Sequence, residues 1–239
     1  EESESWARVL ARWENIFMLA SEMKIPVMID AEESWIQPVV DELAFGFMAK
    51  YNTQTPIVYN TSQLYRHDRL EQLKMALARA KAEGFIYGVK IVRGAYMEKE
   101  RKRAEAKGYT DPIQPNKAAT DRDYNAALEL ILSNLEHMAV VVGTHNEASI
   151  ELAATLMTKH SIAFDSQRVY VAQLFGMSDH ISFNAANSGL NVAKYLPFGP
   201  VKDVLPYLFR RAEENTAVEG QTGRELGLLT KELDRRKNA

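Results

Sequence analysis

The densest chemistry in the sequence lies near its end, in Tyr207-Leu208-Phe209-Arg210-Arg211-Ala212-Glu213-Glu214-Asn215. Wound as a helix, Tyr207, Arg210, Arg211 and Glu214 fall at i, i+3, i+4 and i+7. One face then presents a phenol, two guanidiniums and a carboxylate. Adjacent guanidiniums suit a carboxylate or a phosphate, because each planar fork donates two parallel hydrogen bonds. The plainer reading of an Arg-Arg pair is a solvated helix face with i,i+4 ion pairs. A second candidate is Ile29-Asp30-Ala31-Glu32-Glu33, with acids just past an apolar run. It reads either as a strand end leading into a helix or as a substrate-polarising acid. In Val89-Lys90-Ile91-Val92-Arg93-Gly94-Ala95-Tyr96, Lys90 and Val92 point to one side of a strand, Ile91 and Arg93 to the other. A basic side chain aimed into an enclosed mouth calls for an anionic partner. Gly94 would let a ligand approach the backbone. Thr144-His145-Asn146 follows a valine run, and Tyr195 ends another apolar run before Leu196-Pro197-Phe198-Gly199. The five histidines have no partner at metal-ligand spacing and no HExxH is present, so no metal site is expected.

These residues need elements to position them. Short apolar runs rich in Val and Ile occur at Ile25–Asp30, Ile57–Thr61, Val89–Gly94, Ala139–Thr144, Val169–Leu174 and Asn191–Leu196. They suit strands buried on both faces, as in parallel sheets. Helical periodicity runs through Trp6–Met23, Val39–Lys50, Asp68–Lys81, Lys117–Glu136, Glu147–Lys159 and Arg224–Arg236. Strand–helix alternation predicts an α/β fold with a parallel sheet. An open doubly wound sheet usually carries G-x-G-x-x-G after a strand. The twelve glycines here are never two residues apart, and no Walker A loop is present. Polar residues cluster instead after the strands, where a (βα)8 barrel builds its active site. The expected fold is therefore a TIM-type barrel, for which only six strands are countable. Arg101–Asn116, with Gly108, Pro112 and Pro115, reads as a partly helical insertion able to serve as a lid.

Composition narrows the function classes. A net charge of −3 over 239 residues argues against a broad nucleic-acid-binding face. The absence of cysteine excludes thiolate catalysis, disulfides and Cys-ligated metals. No apolar run approaches the roughly 20 residues of a membrane-spanning helix. Cationic, acidic and aromatic groups at one mouth, without a metal set, suit a small zwitterion and an organic cofactor with phosphates.

In order, VMIDAEE, VKIVRGAY, THNE, QLFGM, KYLPFGP and YLFRRAEEN resemble proline dehydrogenase, and the resemblance covers essentially the whole chain. It implies a distorted (βα)8 barrel holding FAD. It also implies oxidation of L-proline to Δ1-pyrroline-5-carboxylate, by hydride transfer from C5 to flavin N5, with electrons passed to a membrane quinone. By this resemblance Arg210 and Arg211 bind the proline carboxylate, and Glu214 supports them or the flavin. Asp30 helps hold the site and pairs with the arginines. Tyr195, Tyr207, Leu174, Ala95 and Tyr96 line the ring pocket. Asn60, Lys90, Val92, Gly94, Thr144, His145 and Asn146 match positions lining the FAD site. Lys90 stands where some members carry Arg, and Asn60 where others carry Gln.

The six strands resemble the third to the eighth of the family barrel. Residues 1–239 are thus expected to be the C-terminal three quarters of one barrel domain. The N-terminal part, with two strands, is expected on another chain or in a segment outside this sequence, because two open parallel edges invite aggregation. The resemblance further implies peripheral membrane contact, at the cytoplasmic face of a bacterial membrane or in mitochondria. The alternatives are a hydroxyproline dehydrogenase, a non-catalytic barrel fragment acting as an assembly module, and, more distantly, a metal-dependent barrel lyase.

Overall fold

The structure is a computed structural model describing residues 2–217 and 221–238, with side chains at 3–209, 227 and 229–238. It divides into two compact units, Glu1–Lys194 and Tyr195–Ala239.

The first unit alternates as the apolar runs require. Helix α1 (Glu2–Met23) leads to β1 (Val27–Met28), α2 (Gln37–Tyr51), β2 (Val58–Gln63), α3 (Arg69–Glu83) and β3 (Tyr87–Val92). Then come α4 (Met97–Lys107), α5 (Lys117–Leu132), β4 (Met138–Gly143), α6 (Glu147–Lys159), β5 (Val169–Leu174), α7 (Asp179–Asn187) and β6 (Val192–Tyr195). The six strands form one sheet in the order β1-β2-β3-β4-β5-β6. All the registered pairs are parallel. The sheet curls through 242° about an axis. Shared among five steps that is about 48° each, close to the 45° step of a closed eight-strand barrel. The described strands are therefore six of a (βα)8 barrel's eight, as the sequence pattern predicts.

Two hydrophobic clusters follow from strand alternation. Val58, Val89, Ile91, Val140, Val142, Val169 and Val171 face the helices, packing on Phe45, Met48, Leu73, Leu77, Leu128, Ile131 and Met157. Tyr59, Ile86, Ala139 and Val141 form a smaller cluster on the other face. Helix ends follow local chemistry. Asn116 and Asn146 cap α5 and α6 by accepting the N–H of Ala119 and Ser149. Gly108 ends α4 in the left-handed conformation. Below the sheet, the Asn52 amide donates to the carbonyls of Val58 and Ile86 and accepts from the N–H groups of Ile57 and Val58. Its bonding capacity is filled where backbone would otherwise be buried unpaired.

Several expectations are corrected. The first strand is two residues long rather than the whole run Ile25–Asp30. Residues 101–116 are not one insertion: α4 begins at Met97, ends at Lys107 and gives way to a pinned loop. In that loop the Pro112 carbonyl accepts from His67 N–H, and Gln114 N–H donates to the Tyr65 carbonyl. Helix α7 was not expected. One side of β1 is unpaired among the described residues, and nearby Ile16, Leu19, Met23, Ile25, Met28 and Val39 are exposed. In the second unit, α8 (Val201–Ala217) carries the Arg-Arg motif as a helix, and α9 (Gln221–Lys237) covers the predicted Arg224–Arg236 segment. No described helix is long and apolar enough to cross a membrane.

Candidate active site

Strand register sets the level of the site. Thr61 pairs with Lys90, and Lys90 with Val141. On the inner face Tyr59, Ala139 and Val141 are fully buried and floor the mouth. Level with Val141 or beyond it along the strands, Lys90, Val92, Gly143, Ala172 and Leu174 are half-buried. Barrel interiors are ordinarily filled by layers of Val, Ile and Leu. Here glycine and alanine interrupt those layers: a Cβ on Gly143 would stand 2.9 Å from a Val92 methyl.

Into this open level reaches the ammonium of Lys90, ion-paired with the carboxylate of Asp30. The Lys90 side chain is 16% exposed and that of Asp30 56%, so the pair sits at the rim with its cation inward. The loop carrying Asp30 is tied down by its backbone. Thr61 Oγ1 donates to the Ile29 carbonyl at 2.7 Å and Gln63 Nε2 to that of Glu32 at 2.7 Å. On its far side the loop meets α4. Glu33 pairs with Lys99, Ser34 bonds to Glu100, and the Trp35 ring lies under Lys99 and Arg103, the latter at 4.0 Å.

Other candidates fall elsewhere. Asn60 is not brought to the mouth. It points at the helices, donates to the buried carboxylate of Asp41 at 2.7 Å and accepts from the Thr61 N–H. Strand β2 places Thr61, its neighbour, on the inner face, because a one-residue step reverses the side. Asp30 pairs with Lys90 rather than with an arginine among the described residues; the side chains of Arg210, Arg211 and Glu214 lie outside them. Gly94 adopts φ +133°, and a Cβ there would meet the Tyr65 ring at 2.5 Å. The close approach it permits is therefore that of Tyr65. Ala95 is exposed and Tyr96 precedes the first turn of α4.

Arg93 turns outward. Its Nε donates to Asp121 at 2.7 Å, Nη1 to Thr144 Oγ1 at 2.9 Å and Nη2 to Ser149 Oγ at 3.1 Å. Its guanidinium stacks on Tyr124 at 4.4 Å. Burial raises the Asp121 carboxyl, but hydrogen bonds from Lys117 and Arg93 outweigh it and hold the group below its ordinary value. Thr144 accepts from both Arg93 and the Asn146 N–H, so the side chains of Thr144 and Asn146 order the turn. His145 is half-exposed and bonded to Ser178 at 2.9 Å. In the second unit the rings of Tyr195 and Tyr207 lie 5.4 Å apart. Among the described residues no group of three or more His, Asp or Glu side chains could hold a metal.

A family profile described as "Proline dehydrogenase" matches residues 2–224. The chain belongs to the proline dehydrogenase family. Human "Proline dehydrogenase 1, mitochondrial" is 40% identical over 239 residues, covering 99% of this chain and 40% of that protein. "Hydroxyproline dehydrogenase" of Xenopus laevis is 40% identical over 221 residues, covering 91% of this chain and 47% of that protein. The crystal structure of proline utilization A from Bdellovibrio bacteriovorus, inactivated by N-propargylglycine, matches with a TM-score of 0.82 at 25% identity. It covers 91% of this chain and 22% of that one. The chain thus spans less than half the length of each of these relatives.

Membership of the proline dehydrogenase family implies FAD, and the residues present fit it. Small inner side chains leave a half-exposed level above a buried floor, and Lys90 brings a cation to that level. Of the positions the family resemblance matches to the FAD site, Lys90, Val92 and the Thr144–Asn146 turn are the described ones that would hold it. The sequence overlooked Thr61 and Gln63; strict alternation counted from buried Val58 would have put both on the inner face. It also overlooked Glu100, one acid in a charged run, for which no pattern gave a signal.

Proposed function

We propose that the protein carrying this chain oxidises L-proline to Δ1-pyrroline-5-carboxylate with FAD and passes the electrons to a quinone at a membrane it touches peripherally. The family match over residues 2–224 carries this reading. When bound, FAD supplies the acceptor for the hydride leaving proline C5. The chain's own side chains do the rest. Arg210 and Arg211 hold the substrate carboxylate and fix the ring's orientation. Leu174, Ala95, Tyr96, Tyr195 and Tyr207 wall the ring and keep water out. Lys90 sets a cation beside the isoalloxazine, where it favours electron gain, and Asp30 holds Lys90. Val92, the backbone at Gly94, His145 and the ordered Thr144–Asn146 turn line the cofactor, with Thr61 in place of Asn60. Glu214 supports the arginine helix. A companion segment or chain supplies the remaining two strands and covers the apolar residues beside β1.

The test is an anaerobic titration: proline should bleach the flavin absorbance of the purified protein. A flavoprotein that proline leaves oxidised overturns the reading, and a chain that never takes up flavin favours an assembly role. Arg210→Ala and Arg211→Ala should each raise the proline concentration for half-reduction about thirtyfold, on the order of 2 kcal/mol for a lost charged hydrogen-bond partner. Unchanged apparent affinity in both would remove the clamp.

Hydroxyproline is the competing substrate, and one relative carries that name. In the family resemblance, a tyrosine at the position of Tyr195 crowds the ring's C4 substituent and favours proline. Tyr195→Ser should weaken proline turnover and narrow its advantage over hydroxyproline. Equal kinetics for the two substrates in the parent would contradict this.

A further inference from the structure

Helix α4 is almost wholly polar, yet one of its acids is completely buried. Glu100 is 0% exposed. Its Oε1 accepts the backbone N–H of Ser34 and its Oε2 the Ser34 hydroxyl, both at 2.6 Å. Among the described residues its carboxylate stands in no ion pair. A buried carboxylate is costly unless its oxygens are satisfied, and here one residue of a distant loop satisfies both. The same loop residues on either side are held too: Glu33 by Lys99, and Trp35 by Lys99 and Arg103. Three consecutive loop residues thus engage one face of α4.

The two segments so joined are the walls of the mouth. Ser34 lies four residues after Asp30. Glu100 N–H donates to the Tyr96 carbonyl, so its helical turn starts on Tyr96. Gly94 and Gly108, both at positive φ, bracket α4.

We propose that Glu100 is a positioning residue of the proline site. By fastening Ser34 it sets the spacing between the Asp30 loop and the Ala95–Tyr96 wall, so that proline meets a preassembled pocket. This rests on the reading of Asp30, Ala95 and Tyr96 as parts of that pocket. The two hydrogen bonds, not the charge, do the fastening. A glutamine there keeps one acceptor for the Ser34 N–H and offers its amide to the Ser34 oxygen.

The experiment compares the flavin-loaded parent with Glu100→Ala, Glu100→Gln and Ser34→Ala. Steady-state kinetics, the flavin spectrum and trypsin cleavage after Lys99, Arg101, Lys102 or Arg103 are read for each. Glu100→Ala should raise the proline KM tenfold or more with kcat within threefold and an unchanged spectrum, and should speed those cleavages at least fivefold. Glu100→Gln should stay within twofold of the parent in both. Ser34→Ala, which keeps the backbone bond and perturbs folding least, should raise KM two- to threefold. A purely structural role would lower flavin content and kcat together and leave KM alone. A parental KM in Glu100→Ala, or a Glu100→Gln as impaired as Glu100→Ala, overturns the proposal. A parent that proline fails to bleach overturns the pocket itself, and the positioning role with it.

Discussion

Exchanging Lys90 for methionine should lower kcat/KM for proline by about 10²–10³, the usual loss when a preorganised group aimed at developing charge is removed. Methionine keeps most of the aliphatic stem, so the loss reports the cation. Lys90 is the described cation that reaches the half-buried inner level of the sheet, and its side chain is only 16% exposed. Water therefore screens it weakly, and its field acts on whatever lies at that level. Two roles have to be separated. If Lys90 serves only to neutralise Asp30, the pair Asp30→Asn with Lys90→Met removes both charges and restores the rate. If it acts on the cofactor, the double variant stays as slow as Lys90→Met and its flavin is harder to reduce. Stopped-flow reduction by proline and a redox titration make the distinction. Lys90→Arg should keep most of the rate, because charge rather than a fork is what the position supplies. A Lys90→Met rate within threefold of the parent would remove Lys90 from the chemistry.

The second large effect is on stability. Gly94→Ala should cost about 3 kcal/mol or more, lowering the melting temperature by roughly 6–12 °C for a chain of this size. Two causes combine. The backbone at φ +133° lies where residues with a Cβ are strained. The new methyl would also fall 2.5–2.6 Å from three atoms of the Tyr65 ring. A double-mutant cycle with Tyr65→Ala, which removes all three of those ring atoms, apportions them. If the ring is the obstacle, the shorter side chain relieves part of the cost, and the two changes couple by about 1 kcal/mol or more. Strict additivity would leave backbone strain as the sole cause. A stability change under 1 kcal/mol would contradict both.

The sequence made the repeating architecture legible because strands buried on both faces announce themselves as short Val/Ile runs. Strand β5 matches its apolar run residue for residue, and helix α6 its periodic segment. The two-residue β1 was harder to read: Ile25–Asp30 is an apolar run of which only Val27 and Met28 form strand. Helix α4 was hidden for the opposite reason. Met97–Lys107 has no apolar stripe, and only Glu100 and Ala104 are buried, so its partners, not its pattern, hold it. The site was legible in residue type more than in direction. In β3 and just after it, Val89, Ile91 and Arg93 face the helices and Lys90 and Val92 the other side, as alternation predicts. Asn60 was assigned one position away from Thr61, and in a strand that distance is the width of the sheet. Arg93, beside the mouth in sequence, spends its donors binding α5, the turn after β4 and α6 together. Which way a strand-end side chain turns depends on such partners, and those come from segments 28 to 56 residues further along.

The strand order carries a kinetic consequence. Each strand lies beside its immediate neighbour in the chain, so every rung of the curved sheet closes one strand–helix–strand crossover. Loop-closure entropy rises only slowly with length, but each rung is parallel, as in Val27 with Val58 and Tyr87 with Met138, and must close a whole strand–helix unit, which makes such sheets slow to form. The arc can still add strand by strand as the chain emerges, β1 first. Among the described residues the outer sides of β1 and β6 are unpaired, and that seam is where the proposed two further strands would fit. Exposed β1 and α1 surface waits longest for its cover, which makes that seam the point where folding and misassembly compete.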